Sequence, residues 1–201
     1  MTQRWRYFSI YKPYGMLSQF TDEGGNPGLA HLDFRFPSDC YPLGRLDRDS
    51  EGLLLLTNDA SVNQRLLDPR NAHPRTYWVQ VEGSMGVSDC EKLSNGVIIS
   101  IDGKEFRTRP ALVELIDTPA NLPDRTPPVR FRKSIPTSWI SLTLTEGKNR
   151  QVRKMTAAVG YPTLRLIRVA VGKLELPEWK PGSVTEWSSS DFFEKTGIKK
   201  A

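Results

Sequence analysis

The stretch GRLDRDSEGLLLLTND places an acidic side chain between two arginines, shortly before an apolar run. Asp47 lies between Arg45 and Arg48, and the leucines Leu53–Leu56 follow a few positions later. A carboxylate that acts as a nucleophile must stay ionised when substrate excludes water, and nearby guanidinium groups favour the charged form. A polar loop before a buried strand is also a place where a reactive side chain can face a cleft. The stretch predicts a nucleophilic Asp47, with a surface ion pair as the alternative.

A metal site is a second interpretation of the same stretch. Asp47, Asp49, Glu51 and Asp59 would offer hard oxygen ligands for Mg²⁺ in a phosphodiesterase. The arginines between them argue against it, because they repel a divalent cation. Two histidines and two cysteines, without metal-motif spacing, make a zinc site or a Cys–His pair a poor expectation. We therefore expect no metal.

Period-2 alternation of β-branched and aromatic residues predicts the strands that position this loop. They are Tyr7–Tyr11, Thr76–Glu82, Val97–Ile101, Ala111–Ile116, Trp139–Thr145 and Leu164–Val171. The four leucines Leu53–Leu56, flanked by turn residues, predict a central strand buried on both faces.

Three helices carry start or stop signals. They run from an Asp59 cap to Leu67, from a capping box at Ser88–Glu91 to Gly96, and from about Asn149 to Val159 with Gly160 as C-terminal cap. Helical spacing places two clusters on opposite faces of the third helix: apolar Val152, Met155 and Val159, and cationic Arg150, Arg153 and Lys154.

Strands outnumber helices and do not alternate strictly with them. This favours an α+β fold with a large mixed, mainly antiparallel sheet over a doubly wound one. At 201 residues the chain has room for one large domain or two small lobes with a common core. We expect residues 1–201 to form a single catalytic domain, with two sub-lobes on one sheet as a variant.

The positive charge is concentrated in the last third of the chain. Residues 1–120 carry 13 Lys and Arg against 16 Asp and Glu, whereas residues 121–201 carry 15 against 7. This asymmetry favours a polyanionic partner, with a solvated basic face as the alternative. Residues 118–137 form a proline-rich basic segment that contains Arg125, Arg130, Arg132 and Lys133. A loop of that length is more often functional than idle.

The N-terminal stretch MTQRWRYFSIYKPYG has no signal-peptide pattern, and no later run approaches the ~20 apolar residues of a membrane span. We expect a cytoplasmic protein without a membrane partner. Tyr77 begins a predicted strand, where its phenol would stack on a base or exchange a proton, or else be a buried strand tyrosine. Basic residues beside aromatic ones suit RNA.

Four segments taken together resemble the pseudouridine synthases. YKPYG, GRLDRDSEGLLLLTND, RTYWVQVEG and EGKNRQVRKM occur in the order and approximate spacing of that family, and the resemblance covers roughly residues 5–187. The GRLD…GLLLLTND form is similar to the branch that acts on ribosomal RNA, and most similar to its large-subunit type E group. Many members of the branch begin with a small S4-type module. This sequence begins almost at RYFSIYKPYG, so no S4 domain is expected.

The resemblance implies a role for each matching residue. Asp47 is the essential nucleophile, Tyr77 packs against the target base as a candidate for proton transfer, and Arg153 pairs with Asp47. Arg45 resembles the side chain that fills the gap left when the target uridine leaves the stack. Further RNA contacts are expected from cations of the last third: Arg130, Arg132, Lys148, Arg150 and Lys154.

The implied reaction detaches uracil from C1′ of the ribose, rotates it and rejoins it through C5, without metal or cofactor. Attack of Asp47 on C6, attack on C1′ and removal of a ribose proton all require its ionised form. The implied partner is 23S ribosomal RNA, free or in an assembling large subunit, and the protein is expected to act as a monomer. The alternatives are a non-catalytic ribosome-associated RNA-binding protein on the same scaffold and a metal-dependent nuclease.

Overall fold

The computed structural model of the chain describes residues 5–67, 71–129, 132 and 134–199. These residues form two compact units. Unit 1 contains the described residues up to His73 and those from Arg168 onward, and unit 2 runs from Pro74 to Ile167. Asp47 therefore belongs to unit 1, and Tyr77 and Arg153 belong to unit 2.

Strands predominate over helices in the described part of the chain. The strands are β1 (Tyr7–Lys12), β2 (Tyr41–Leu43), β3 (Glu51–Thr57), β4 (Arg75–Glu82), β5 (Ile98–Ile101), β6 (Lys104–Arg107), β7 (Leu112–Ile116), β8 (Thr137–Leu144), β9 (Thr163–Val171), β10 (Leu174–Glu175) and β11 (Val184–Trp187). The helices are α1 (Ala60–Leu67), α2 (Val87–Ser94), α3 (Gln151–Ala158) and α4 (Ser189–Thr196), with a short 3-10 turn at Leu29–His31. The predicted α+β class is confirmed.

In unit 1 the strand order is β11, β1, β3 and β9, with β2 pairing β3 and β10 pairing β9. Strand β1 runs antiparallel to both β3 and β11. All seven residues of β3 are buried, which confirms the strand predicted from Leu53–Leu56. At the start of β1, Tyr7 stacks on Phe192 of α4 and donates a hydrogen bond to Asp59. Burial, and then the Asp59 carboxylate, raise the pKa of Tyr7 to about 12.

In unit 2 the strand order is β9, β4, β8 and β7, and β5 and β6 form a separate hairpin. Strand β8 runs antiparallel to both β4 and β7. The core is built from one face of these strands together with α2, α3 and β5, and includes Val79, Ile140, Leu142, Leu93 and Met155. The sheet thereby supports both helices of the unit.

Each predicted strand is present within two residues of its predicted limits. The elements that were not predicted are the 3-10 turn, the short strands β2, β6, β10 and β11, and helix α4. The start of α4 did carry a signal, because Ser188 Oγ accepts the Asp191 N–H at 3.1 Å and Gly197 ends the helix with φ +71°. The predicted capping box at Ser88–Glu91 is wrong.

Helix α2 begins two residues earlier than that box implies, at Val87, with Gly86 as its N-cap. Its first turn is capped by Asp89, whose carboxylate accepts the Gly86 N–H at 3.2 Å. The same carboxylate accepts hydrogen bonds from Tyr161 and Lys92. Asp89, and not Ser88, is therefore the capping side chain.

Helix α3 spans Gln151–Ala158 and is shorter than predicted. Arg150 lies just before it in the left-handed conformation, with φ +52°. The predicted cationic face is only partly right, because Arg150 is outside the helix and Arg153 and Lys154 are half-buried. The predicted apolar face holds for Val152 and Met155, which are both buried.

The segment 118–137 contains no helix or strand among its described residues before β8 begins at Thr137. Arg130 and Lys133 lie outside the described residues, so the predicted RNA contact of Arg130 stays a prediction. No helix in the described ranges is long and apolar enough to cross a membrane.

Candidate active site

Asp47 lies in the loop that joins β2 to β3. Gly44 leaves β2 with φ +73°, a left-handed conformation that glycine adopts without steric cost. The loop then turns tightly, with the Ser50 N–H donating to the Asp47 carbonyl at 3.0 Å. The Asp47 side chain is half-buried, whereas those of Arg45 and Arg48 are exposed.

Ser18 fixes the backbone immediately before Asp47. Its hydroxyl donates to the Leu46 carbonyl at 2.8 Å and accepts the Leu46 N–H at 3.0 Å. Both residues are buried, with 5% and 7% of their surface exposed. Because both polar groups of Leu46 are held by one side chain, the direction in which the chain enters Asp47 is constrained.

Lys12 and Gly15 fix the backbone immediately after Asp47. The Gly15 N–H donates to the Arg48 carbonyl at 2.8 Å. The Lys12 ammonium is fully buried and donates to the carbonyls of Pro13, Met16 and, at 3.5 Å, Arg48. The YKPYG turn is thus fastened to the Asp47 loop by main-chain and side-chain hydrogen bonds.

The charge around Lys12 is mainly negative. Burial lowers the pKa of Lys12 to about 8, while Glu51, Asp49 and Asp47, in that order, act in the opposite direction. Glu51 is itself buried and accepts a hydrogen bond from the Tyr11 hydroxyl at 3.4 Å. A buried cation next to the loop therefore interacts with Asp47, Asp49 and Glu51.

A second buried cation lies on β9. Arg168 is 5% exposed, and its Nε donates to the Leu53 carbonyl at 2.7 Å. The exposed Arg48 instead donates to the Asn26 side chain at 2.7 Å. Arg48 therefore ties the Asp47 loop to the β1–β2 connection, whereas Arg45 keeps the exposed position expected of a side chain that enters RNA.

In unit 2, Tyr77 lies on β4 opposite Leu142 of β8. It is half-buried and packs against the hydrophobic core of the unit. This packing against the core holds the ring in place, as expected of a tyrosine in a strand. Its role against a base stays a prediction.

Arg153 lies in α3 and is half-buried. Its Nη1 donates to the Thr163 carbonyl at 3.4 Å, and its own carbonyl accepts the Thr156 hydroxyl. Lys154 is also half-buried, whereas Lys148 and Arg150, in the segment before the helix, are exposed. Four of the predicted cations therefore cluster around the start of α3. Arg132 is not in this cluster, and it forms an ion pair with Glu82 at 3.2 Å.

Sequence reasoning missed Lys12 and Ser18 as residues that position the loop. Lys12 gave little signal, because it directly follows the predicted strand Tyr7–Tyr11 and lysines are mostly exposed. Ser18 gave none. Within the described residues, no group of three or more His, Cys, Asp or Glu is arranged to hold a metal ion.

Comparison with known proteins supplies the family. A family profile described as RNA pseudouridylate synthase matches residues 6–158. The chain is 52% identical to "Ribosomal large subunit pseudouridine synthase E" of Xanthomonas axonopodis pv. citri, over 86% of this chain and 88% of that protein. It is 50% identical to the protein of the same name in Vibrio parahaemolyticus, over 87% of this chain and 71% of that one.

More distant relatives give a consistent result. "Ribosomal large subunit pseudouridine synthase B" of Bacillus subtilis is 34% identical over 90% of this chain and 67% of its own. A solved structure titled "Crystal structure of pseudouridylate synthase" superposes with a TM-score of 0.77 and 25% identity. It covers 96% of this chain and 74% of its own chain.

Proposed function

The chain belongs to the RNA pseudouridylate synthase family, and on that premise we propose that it converts a specific uridine of 23S ribosomal RNA to pseudouridine. Its relatives named large-subunit pseudouridine synthase E support this choice of RNA. In the reaction the N1–C1′ bond of the uridine breaks, a C5–C1′ bond forms, the hydrogen on C5 leaves as a proton, and N1 takes up a proton. The proposal requires no metal and no cofactor.

The single observation that carries the proposal is the placement of Asp47. Its loop is fixed before the aspartate by Ser18 and after it by Lys12 and Gly15. The carboxylate is half-buried, so a substrate can reach it although the protein partly shields it from water. Holding a nucleophile in one geometry is worth several kcal/mol of barrier in well-oriented reactions, on the order of 7–11 at most.

The remaining residues take the roles that the family resemblance implies. Asp47 is the nucleophile, Tyr77 packs against the target base, and Arg153 pairs with Asp47. Arg45 fills the gap left by the extruded uridine. Lys148 and Arg150, before α3, and Lys154, within it, bind the phosphate backbone.

The cations proposed to bind RNA differ in how well their exposure suits that role. Lys148 and Arg150 are exposed, which suits phosphate contact. Lys154 is half-buried, and Arg132 would have to leave or share Glu82 to bind RNA. We retain Arg130 and Arg132 on the ground of sequence alone. The proposal treats residues 1–201 as one catalytic domain that acts as a monomer in the cytoplasm.

The experiment that tests the function compares ribosomal RNA from cells with and without this gene. Chemical mapping of pseudouridines in 23S RNA should lose one or a few sites in the deletion strain, and the purified protein should restore them in vitro. Restoration should be insensitive to a chelator, whereas a metal-dependent nuclease would be inhibited. A protein that binds 23S RNA but restores no site would instead be the non-catalytic alternative.

A further inference from the structure

The segment FRTRP, Phe106–Pro110, begins with the last two residues of strand β6 and alternates in burial. Phe106 packs against the core of unit 2, and Thr108 is 3% exposed. Arg107 lies between these two residues and Arg109 follows Thr108, and both arginines are exposed. The two arginines therefore project from a backbone whose alternate residues are held in the interior.

The backbone of this segment is fixed by Thr108. Its N–H donates to the Val97 carbonyl at 2.9 Å, and its hydroxyl accepts the Val97 N–H at 2.9 Å. A side chain on Gly96 would collide with the Thr108 carbonyl oxygen, so the close approach requires glycine there. The Ala111 N–H donates to the Ser94 carbonyl just beyond. The arginines thus emerge from a rigid base, which lowers the entropy cost when they bind a ligand.

Glu146 joins this segment to the residues that precede α3. One of its carboxylate oxygens accepts the Arg109 N–H at 2.9 Å and the Gln151 side-chain N–H at 2.6 Å. The Glu146 side chain is 9% exposed, whereas that of Arg109 is 56% exposed and its Nε lies 4.0 Å from the carboxylate. The acid is turned inward and the guanidinium outward, so the surface that meets solvent is positive.

Lys148 extends the same surface. Its ammonium lies 4.9 Å from the centre of the Phe106 ring, a cation–π distance. Its backbone N–H donates to the Gln151 side chain at 2.9 Å, which is the amide that also holds Glu146. Lys148 and the backbone of Arg109 are therefore linked through Gln151 and Glu146, and Arg107 is an exposed residue of the same segment.

We infer that Arg107 and Arg109, together with Lys148, form a binding surface for the sugar–phosphate backbone of the RNA. The inference rests on the proposed function for its ligand. Guanidinium groups bind phosphate in a planar, bidentate manner, and two of them on a fixed backbone suit successive phosphates of a nucleic acid. It adds two arginines that precede the basic last third of the chain.

The test uses the double variant Arg107→Gln/Arg109→Gln and a charge-matched control, Lys173→Gln/Lys180→Gln, which neutralises two exposed lysines of unit 1. Binding to a 23S RNA transcript is measured as a function of salt concentration. The arginine variant should reduce the slope of log K against log [salt] by about 1–2, since each phosphate that is no longer neutralised reduces it by about 0.7–0.9. The control should keep the wild-type slope.

Steady-state kinetics distinguish a role in RNA binding from a role in the chemical step. The arginine variant should raise KM for the transcript about 10-fold and leave kcat unchanged, because these arginines hold RNA equally in the ground and transition states. Equal salt slopes for both double variants would overturn the inference. So would a weaker affinity for polyglutamate with an unchanged affinity for RNA, which would indicate an acidic protein partner.

Folding and function are controlled separately. Arg107→Lys/Arg109→Lys retains the charge and should recover most of the salt slope, while thermal unfolding should be unchanged in all variants. The slope difference is a binding measurement, so it remains decisive if the wild-type protein isomerises no uridine. In that outcome the proposed function fails and the RNA-binding surface stands.

Discussion

Ser18 and Leu46 hold each other through a reciprocal pair of hydrogen bonds, although 28 positions separate them in the chain. Leu46 directly precedes Asp47, so this pair determines how the chain enters the proposed nucleophile. Main-chain groups buried without partners cost about 1–3 kcal/mol each. The hydroxyl of Ser18 therefore contributes to the stability of the loop and to its geometry.

Ser18→Ala should lower the free energy of unfolding by about 2 kcal/mol, since two buried polar groups lose their partner. We also expect a lower kcat with little change in KM, because Asp47 would be less well oriented while RNA contacts remain. Urea unfolding and single-turnover isomerisation measure the two effects. Ser100→Ala, at an exposed serine of β5, is the matched control. An unchanged kcat in Ser18→Ala would show that the pair serves stability alone.

Asp47→Asn should keep the fold and RNA binding but abolish isomerisation, because the amide has almost the same shape and no negative charge. Release of tritium from RNA labelled at C5 of uridine measures the reaction. Binding of the same RNA confirms that the substrate site persists. Substantial tritium release by Asp47→Asn would remove Asp47 from the nucleophilic role.

Arg153→Ala should lower the single-turnover rate at saturating RNA, because the proposed partner of Asp47 is removed and an unpaired, partly buried charge is costly. Lys154→Ala, one residue further along α3, is the comparison and should act mainly through RNA affinity. A near-normal rate for Arg153→Ala would refute the proposed pairing.

Lys12 should make the stability of the protein depend on alkaline pH. Burial lowers its pKa to about 8 in the folded protein. An unfolded lysine titrates near ~10.4. Between these values the unfolded chain binds more protons than the folded one, so the contribution of Lys12 to the free energy of unfolding rises with pH in that window.

The measurement is urea unfolding of the wild type and of Lys12→Met from about pH 8 to pH 10. Across this range the wild type should gain stability relative to Lys12→Met, because only the wild type has the buried lysine. Lys173→Met, which replaces an exposed lysine, controls for removal of a surface charge. Parallel pH profiles for wild type and Lys12→Met would contradict the lowered pKa.

Arg150→Gln/Lys154→Gln should weaken binding to 23S RNA and reduce the salt slope by about 1–2, in proportion to the number of phosphates that these side chains neutralise. Isomerisation at saturating RNA should persist, because neither side chain is assigned to the reacting nucleotide. Salt-dependent binding and turnover at high RNA concentration provide the two measurements. A slope equal to that of Lys173→Gln/Lys180→Gln would exclude them as phosphate contacts.

Elements whose signals are local could be predicted from the amino-acid sequence. Alternation predicted β1, β4, β8 and β9 within two residues, and the four leucines of β3 predicted a strand buried on both faces. The motifs around Asp47, Tyr77 and Arg153 indicated the family, which the comparisons confirmed. The roles of those three residues remain predictions.

Contacts between residues far apart in the chain depend on the folded structure instead. Ser18 is hydrogen-bonded to Leu46, Lys12 to the Arg48 carbonyl, and Thr108 to Val97 beside Gly96. Strand register and the path of the loops bring these residues together. Helix α3 shows the same limit, since its periodicity predicted exposed cations but Arg153 is half-buried against neighbours outside the helix. Periodicity reports which side of an element is apolar; the partners that a polar side chain finds depend on what the rest of the chain packs beside it.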